Sequence, residues 1–383
     1  MRAPAAIAVA LLLLLPAACS SYNPLVVLGI KSEPAHKPTP LAPLTPSVRT
    51  RAVWTTPVGK GGGYRFRPAV DQARIYTAAA DGNLTILDED TGRVAIRADT
   101  RKKLSGGVEF GDGKVFVGTL KGEVLALDPA GKTLWTTSVA GEVIAPPSVS
   151  RKVVVVRTAD GRIFGLSTDD GKRQWVFQRP TPSLLLRSEA GVLSAGADIV
   201  AGYPNGKLLA LDAEDGKLLW EVTVMQPRGT TELERIADVA GLPVMDGGNV
   251  CAGAFQGKVA CFDIPTRNML WSRDISSARN LARDAKNLYV VDDDGAVHAL
   301  DKTSGAVAWK QDKLLYRRIS SPALVEGLVV VGDGEGFLHV IAPDDGALVG
   351  RLATDGTAIE SLTPVAGGVL VQTAGGSLSL VRF

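Results

Sequence analysis

The six tryptophans of this chain fall on one repeating grid. Trp135, Trp175, Trp220 and Trp309 each stand four residues after a glycine that follows a polar turn, and Trp271 keeps the frame with Arg267 in the glycine's place. A second glycine series, Gly82, Gly122, Gly161, Gly206, Gly257, Gly295, Gly336 and Gly376, marks the same period from another phase. Its separations are 40, 39, 45, 51, 38, 41 and 40 residues. Eight units of about forty residues, each with two glycine turns and short runs of β-forming residues, predict an all-β eight-bladed propeller with four-stranded blades.

Residues 205–220 show the unit most clearly. Apolar runs of strand length are bounded by Asn-Gly and Asp-Gly turns, where a hairpin requires a backbone conformation that a side chain makes costly. A tryptophan at a fixed place in the fourth strand then reads as a packing residue between blades. The Trp position recurs at 54, 96, 135, 175, 220, 271, 309 and 350, with Ile96 and Gly350 as substitutes. Trp54 precedes the first complete unit, and the last unit stops at Phe383 without a fourth strand. Ala52 to Val58 is therefore expected to supply the outer strand of the final blade, so that no sheet edge is left open where the chain ends meet.

At 45% hydrophobic, 21% charged and a formal charge of +2, the chain is neither disordered nor directed at polyanions, and nucleic acid is not an expected partner. Arg2, the apolar run Ala5 to Leu15 and Pro16-Ala-Ala-Cys19 fit a secretion signal over residues 1–18, too short for a membrane span. Cys19 resembles the lipid-attachment residue of bacterial lipoproteins, and Ser20 after it resembles those sent to the outer membrane. Residues 19–50, with prolines at 24, 34, 38, 40, 43 and 46, read as a Pro-rich tether, and the propeller as residues 51–383. The apolar patch Leu25 to Ile30 inside the tether has no assignment.

Little in the chain suggests catalysis. His36, His298 and His339 are scattered, and no metal, haem or nucleophile-elbow spacing occurs, so neither a cofactor nor a metal is expected. Asp88, Asp128, Asp212, Asp263 and Asp301 recur after the third strand and read as caps of the following turn. With Gln256-Gly257 as a two-residue hairpin, Cys261 lies opposite Ala252 and Cys251 falls on the other face, which favours two buried free thiols.

The repeat breaks in one place. The distance from a Trp position to the next marker glycine is 24–28 residues in six units but 31 and 37 in two consecutive ones. The excess lies in 179–191 and 225–241, both linking an outer strand to the inner strand of the next blade, hence on one face of adjacent blades. Insertions of this kind are where repeat proteins usually bind. Leu184, Leu186 and Arg187 offer apolar contact and a multidentate donor, with Glu232, Glu234 and Asp238 as nearby acids, which suits a protein partner. The alternative is that the leucines join the inner-strand core and Arg187 pairs with Asp238 inside the protein.

The lipoprotein-like start, the eight Asp-Gly, Thr-Gly and Trp repeats over residues 52–383 and the paired insertions together resemble the BamB family of outer-membrane protein assembly factors. That resemblance implies a monomeric, non-enzymatic periplasmic propeller, lipid-anchored to the outer membrane. It implies binding to the POTRA domains of BamA, contact through BamA with the other BAM lipoproteins, and a part in folding and inserting β-barrel proteins, including contact with their unfolded chains. The family's leucine, leucine, arginine contact cluster matches Leu184, Leu186 and Arg187. Its acidic pair matches in part, with Asp238 kept and Ala240 where a second Asp is expected. The repeat is shared with pyrroloquinoline-quinone dehydrogenases, the alternative reading, but this chain lacks their adjacent cysteine pair. A glycan-binding propeller is a third reading, and the long loops lack clustered aromatics.

Overall fold

Each unit folds as a meander because its inner runs are apolar without interruption while its fourth run alternates. Val153–Arg157 is buried at every residue, whereas the outer strand Arg173–Phe177 buries only Trp175 fully. A computed structural model of the chain describes residues 36–383. Among these lie eight four-stranded antiparallel sheets: blades 1 to 7 span 69–99, 104–138, 148–177, 193–223, 244–273, 282–311 and 323–353. Blade 8 combines 359–382 with Arg51–Pro57. The core is a ring of interfaces between successive blades, such as Val200, Leu208 and Ala210 of blade 4 against Val250, Ala252 and Ala260 of blade 5. Strands buried on both faces suit such runs of Val, Leu and Ala.

The ring closes as expected from the sequence. Arg51–Pro57 pairs antiparallel with the last strand, from Arg51 opposite Arg382 to Pro57 opposite Ser377.

Five of the six tryptophans latch their blade to the next through the indole N–H. The indole N–H groups of Trp54, Trp135, Trp175, Trp271 and Trp309 donate to the carbonyls of Glu89, Thr168, Ala213, Lys302 and Pro343 at 2.7–3.0 Å. The rings lie on turn glycines of that next blade: a Cβ on Gly171 would fall 2.6 Å from Trp135, and one on Gly305 2.5 Å from Trp271. Glycine there serves the turn and the flat indole at once. Trp220 meets a turn in which Arg267 takes the left-handed conformation, φ 61°, and donates to Leu219 O at 3.4 Å. The recurring aspartates are turn caps, as read: Asp88, Asp212, Asp263 and Asp301 accept backbone N–H groups two or three residues on at 2.7–3.2 Å.

Gly350 has a separate cause. Blade 8 has no turn between its third and outer strands, because these come from opposite chain ends, so a tryptophan at 350 would have nothing to latch. The N-terminal segment crosses there instead. Ser47 and Val48 N–H donate to Val349 O at 3.0 and 2.9 Å, Thr50 Oγ1 donates to Arg351 O at 3.1 Å, and a Cβ on Gly350 would lie 3.1 Å from Thr50. Further upstream, Thr39 N–H donates to Leu315 O at 3.0 Å, buried Arg317 donates to Thr39 O at 3.0 Å, and Leu41 packs on the core between blades 6 and 7. From Thr39 on, the Pro-rich stretch is therefore held against the ring rather than free. Residues 1–18, Cys19 and Leu25 to Ile30 lie outside the described residues.

The cysteine register differs from the expectation. The hairpin in blade 5 turns over five residues, 254–258, closed by Ala254 N–H to Lys258 O at 2.8 Å, so Cys251 stands directly opposite Cys261. The two form a disulfide across the strand pair with Cα atoms 4.1 Å apart. A turn of five residues in place of two shifts the pairing by one residue and so puts both sulfurs on one face.

Candidate functional site

The two insertions leave adjacent outer strands, Arg173–Phe177 and Leu218–Thr223, and enter the first strands Leu193–Ala195 and Val244–Asp246, on one face of blades 3 to 5. Neither forms regular sheet, yet each is fixed by its own side chains. In the second, Thr231 and Glu234 cap one another: Glu234 N–H donates to Thr231 Oγ1 at 3.3 Å and Thr231 N–H to Glu234 Oε2 at 3.1 Å. The single helical turn they start, Arg235 N–H to Thr231 O at 3.2 Å, holds Leu233 out at 65% exposure.

Asp238 joins the two loops. It is 4% exposed, and its carboxylate accepts Leu186 N–H of the first loop at 2.7 Å and Asn205 N–H of the blade 4 turn at 3.2 Å. Burial pushes its carboxyl above the usual aspartate range, and the two N–H groups and the Arg157 charge offset part of that rise. A second tie is Ser188 Oγ donating to Ala240 O at 2.7 Å. The contact at Ala240 is made by its carbonyl, so an acidic side chain there is not needed to hold the loops together.

The sequence-derived residues thus separate into two groups. Leu184 is 42% exposed, Leu186 is half-buried and Arg187 is exposed, so these three present a surface. Asp238, grouped with them as a contact residue, is turned inward and positions the backbone beneath them. Arg187 does not pair with Asp238. Its Nε and Nη2 donate to Glu142 Oε2 of the connection between blades 2 and 3 at 3.2 and 2.8 Å. Leu233 and Glu142 were not singled out from the sequence; the Thr-x-x-Glu pattern at 231–234 was the signal for the first, and none existed for the second.

Toward the ring axis, Glu189 of the first loop meets Arg65 Nε at 3.1 Å, and Arg65 lies in the connection from blade 8 to blade 1. Glu360, on the first strand of blade 8, sits in the same field. Burial pushes its carboxyl up to about 7, Arg65 opposing and Glu189 adding, and its Oε2 has no hydrogen-bond partner among the described residues. A carboxyl raised above its unfolded value of about 4.3 favours the folded state when protonated, at low pH, and that contribution is lost as pH rises through 7. Glu360→Gln is accordingly expected to stabilise the protein by about 1–2 kcal/mol at pH 8, after discounting for solvent screening, and not at pH 4. Melting curves at the two pH values check this; an equal shift at both would show that the charge is not the cause.

Catalytic arrangements are not evident in this region. Among the described residues no group of three or more His, Cys, Asp or Glu could hold a metal ion. His298 and His339 pair with Asp292 and Asp333 at 2.8 and 3.0 Å, at one repeat position of blades 6 and 7.

Residues 80–311 match the family model of outer membrane protein assembly factor BamB. The chain is 39% identical to the outer membrane protein assembly factor BamB of Burkholderia pseudomallei, over 96% of this chain and 94% of that protein. Its fold is similar to the crystal structure of BamB from Moraxella catarrhalis, with a TM-score of 0.82 at 25% identity, covering 88% of this chain and all of that one. Quinohemoprotein alcohol dehydrogenase from Comamonas testosteroni shares the fold alone, with a TM-score of 0.71 at 14% identity over 87% of this chain and 76% of that one. By descent and by architecture, then, the chain belongs to the outer membrane protein assembly factor BamB family.

Proposed function

We propose that this protein is a non-enzymatic scaffold of outer-membrane β-barrel assembly, anchored by lipid at Cys19 on the periplasmic side of the outer membrane. Its insertion face docks on the POTRA domains of BamA. Leu184 and Leu186 supply apolar anchors, Arg187 supplies register, and Asp238 keeps the backbone that carries them in place. Through BamA the ring joins the other lipoproteins of the complex and comes near unfolded barrel chains.

The observation that carries this reading is the knitting of two separate insertions into one surface. A buried carboxylate with two backbone donors is an expensive device for loops that do nothing, and the surface it fixes exposes an arginine, a residue type enriched at interface centres, beside an exposed leucine that can supply apolar contact. The assembly-factor names of the relatives fit a role without catalysis.

Pull-down from solubilised envelopes tests it. Wild type is expected to recover BamA, and Arg187→Glu to recover at least about tenfold less at unchanged melting temperature, since reversing a charge at a close contact costs several kcal/mol. Equal recovery by a folded variant would return Arg187 to a purely internal partner of Glu142.

A further inference from the structure

We propose that Glu142 is an intramolecular stand-in for a carboxylate of the docking partner: it occupies Arg187 in the free protein and is displaced on docking. The proposal rests on the docking face argued above and names the chemistry of the surface that meets Arg187, which is acidic.

Glu142 belongs to neither insertion. It lies in the short connection between blades 2 and 3, where its carbonyl accepts Ala159 N–H at 2.9 Å and the next residue, Val143, is fully buried and donates to Thr119 O at 3.1 Å. A carboxylate on a fixed base therefore reaches up to a guanidinium on a long irregular loop. The other charged side chains of that loop are engaged elsewhere: Arg179 with Glu221 and Glu189 with Arg65. Of the three pairs, Arg187 with Glu142 is the most open to solvent, the two side chains being 53% and 46% exposed.

That exposure separates the pair from the structural ones. An ion pair open to solvent contributes about 0.2–1 kcal/mol, too little to hold the loop against the buried Asp238 and Ser188 contacts. Glu142 uses the Nε and Nη2 edge of the guanidinium through a single oxygen. An incoming carboxylate seeking the two-donor geometry that makes arginine selective must take that edge from Glu142 or settle beside a like charge. Either route weakens docking. If Arg187 instead met an aromatic face or carbonyl groups, Glu142 would only steady the side chain, and its loss would weaken binding.

The two cases differ in sign. Full-length wild type, Glu142→Gln and the exchanged pair Glu142→Arg/Arg187→Glu are titrated against purified BamA in detergent, at low and high salt, with melting temperatures recorded. Glu142→Gln is expected to bind about two- to fivefold tighter, the equivalent of the exposed pair, with the gain fading in high salt. The exchanged pair keeps an internal bridge but presents an anion on the loop, and is expected to bind at least about tenfold more weakly. Wild-type binding with unchanged or weaker binding by Glu142→Gln overturns the proposal and leaves the docking face standing. No binding by folded wild type overturns both.

Discussion

Deletion of residues 51–58 is expected to abolish the cooperative unfolding transition of the whole ring, not to trim one edge of it. The segment is the outer strand of blade 8, paired from end to end with Ser377–Arg382. It also bridges blade 8 to blade 1 on the outer rim. Trp54 lies on Gly92 and donates to Glu89 O at 2.9 Å, Thr56 Oγ1 donates to Gly92 O at 2.6 Å, and Arg97 donates to Pro57 O at 2.9 Å. Val58 is fully buried, with its N–H on Gly376 O at 2.8 Å. Several hydrogen bonds at about 1 kcal/mol each, with the burial of Trp54 and Val58 at about 2 kcal/mol each, sum to the order of a domain's entire net stability. Calorimetry of the truncated protein checks this, and an unchanged melting temperature would mean that the ring shuts by another route.

The second large effect is at Asp238. Asp238→Ala removes a buried acceptor from the N–H of half-buried Leu186, at about 1–3 kcal/mol, and from that of exposed Asn205, at less, and releases the first insertion from the second. The expected outcome is about 2–4 kcal/mol of lost stability, new protease cleavage within 178–192 and 224–243, and BamA binding weakened by at least about thirtyfold. Arg187→Glu, by contrast, is expected to lose binding without new cleavage, because in the proposed docking Arg187 would meet the partner while Asp238 is buried beneath it. A Asp238→Ala protein as protease-resistant as wild type would show that the loops hold themselves without it.

These two predictions mark what the chain discloses on reading and what it hides. Trp54 as the latch of blade 8 was legible, because a turn glycine and a packing tryptophan are local demands that recur around the ring, the tryptophan at six of eight positions, and any member can be aligned with the others. The face carrying the insertions was legible for the same reason, as the place where the count departs from the period. Asp238 was visible as an acid, but its burial depends on Leu186, fifty-two positions away. Glu142 lies forty-five positions from Arg187 in a connection of ordinary length, with nothing to mark it. The cysteine register failed because Gln256-Gly257 imitates a two-residue turn; Gln256 does take φ 50°, but inside a five-residue loop whose far side is bonded to Asp238 O and Ser276.

The crossing of the N-terminal segment at Gly350 also governs how a mechanical load would enter the molecule. A pull arriving along the chain ahead of Thr39 is taken first by its bonds to Leu315 and Arg317, then by those of Ser47 and Val48 to Val349. The closing strand feels the force only after these have yielded. The blades that take the strain, 6 and 7, lie far around the ring from the junction of blades 3 and 4 where Leu184 and Arg187 are displayed. The molecule can thus be tugged at one side and gripped at the other, with the seam of the ring shielded from the line of force.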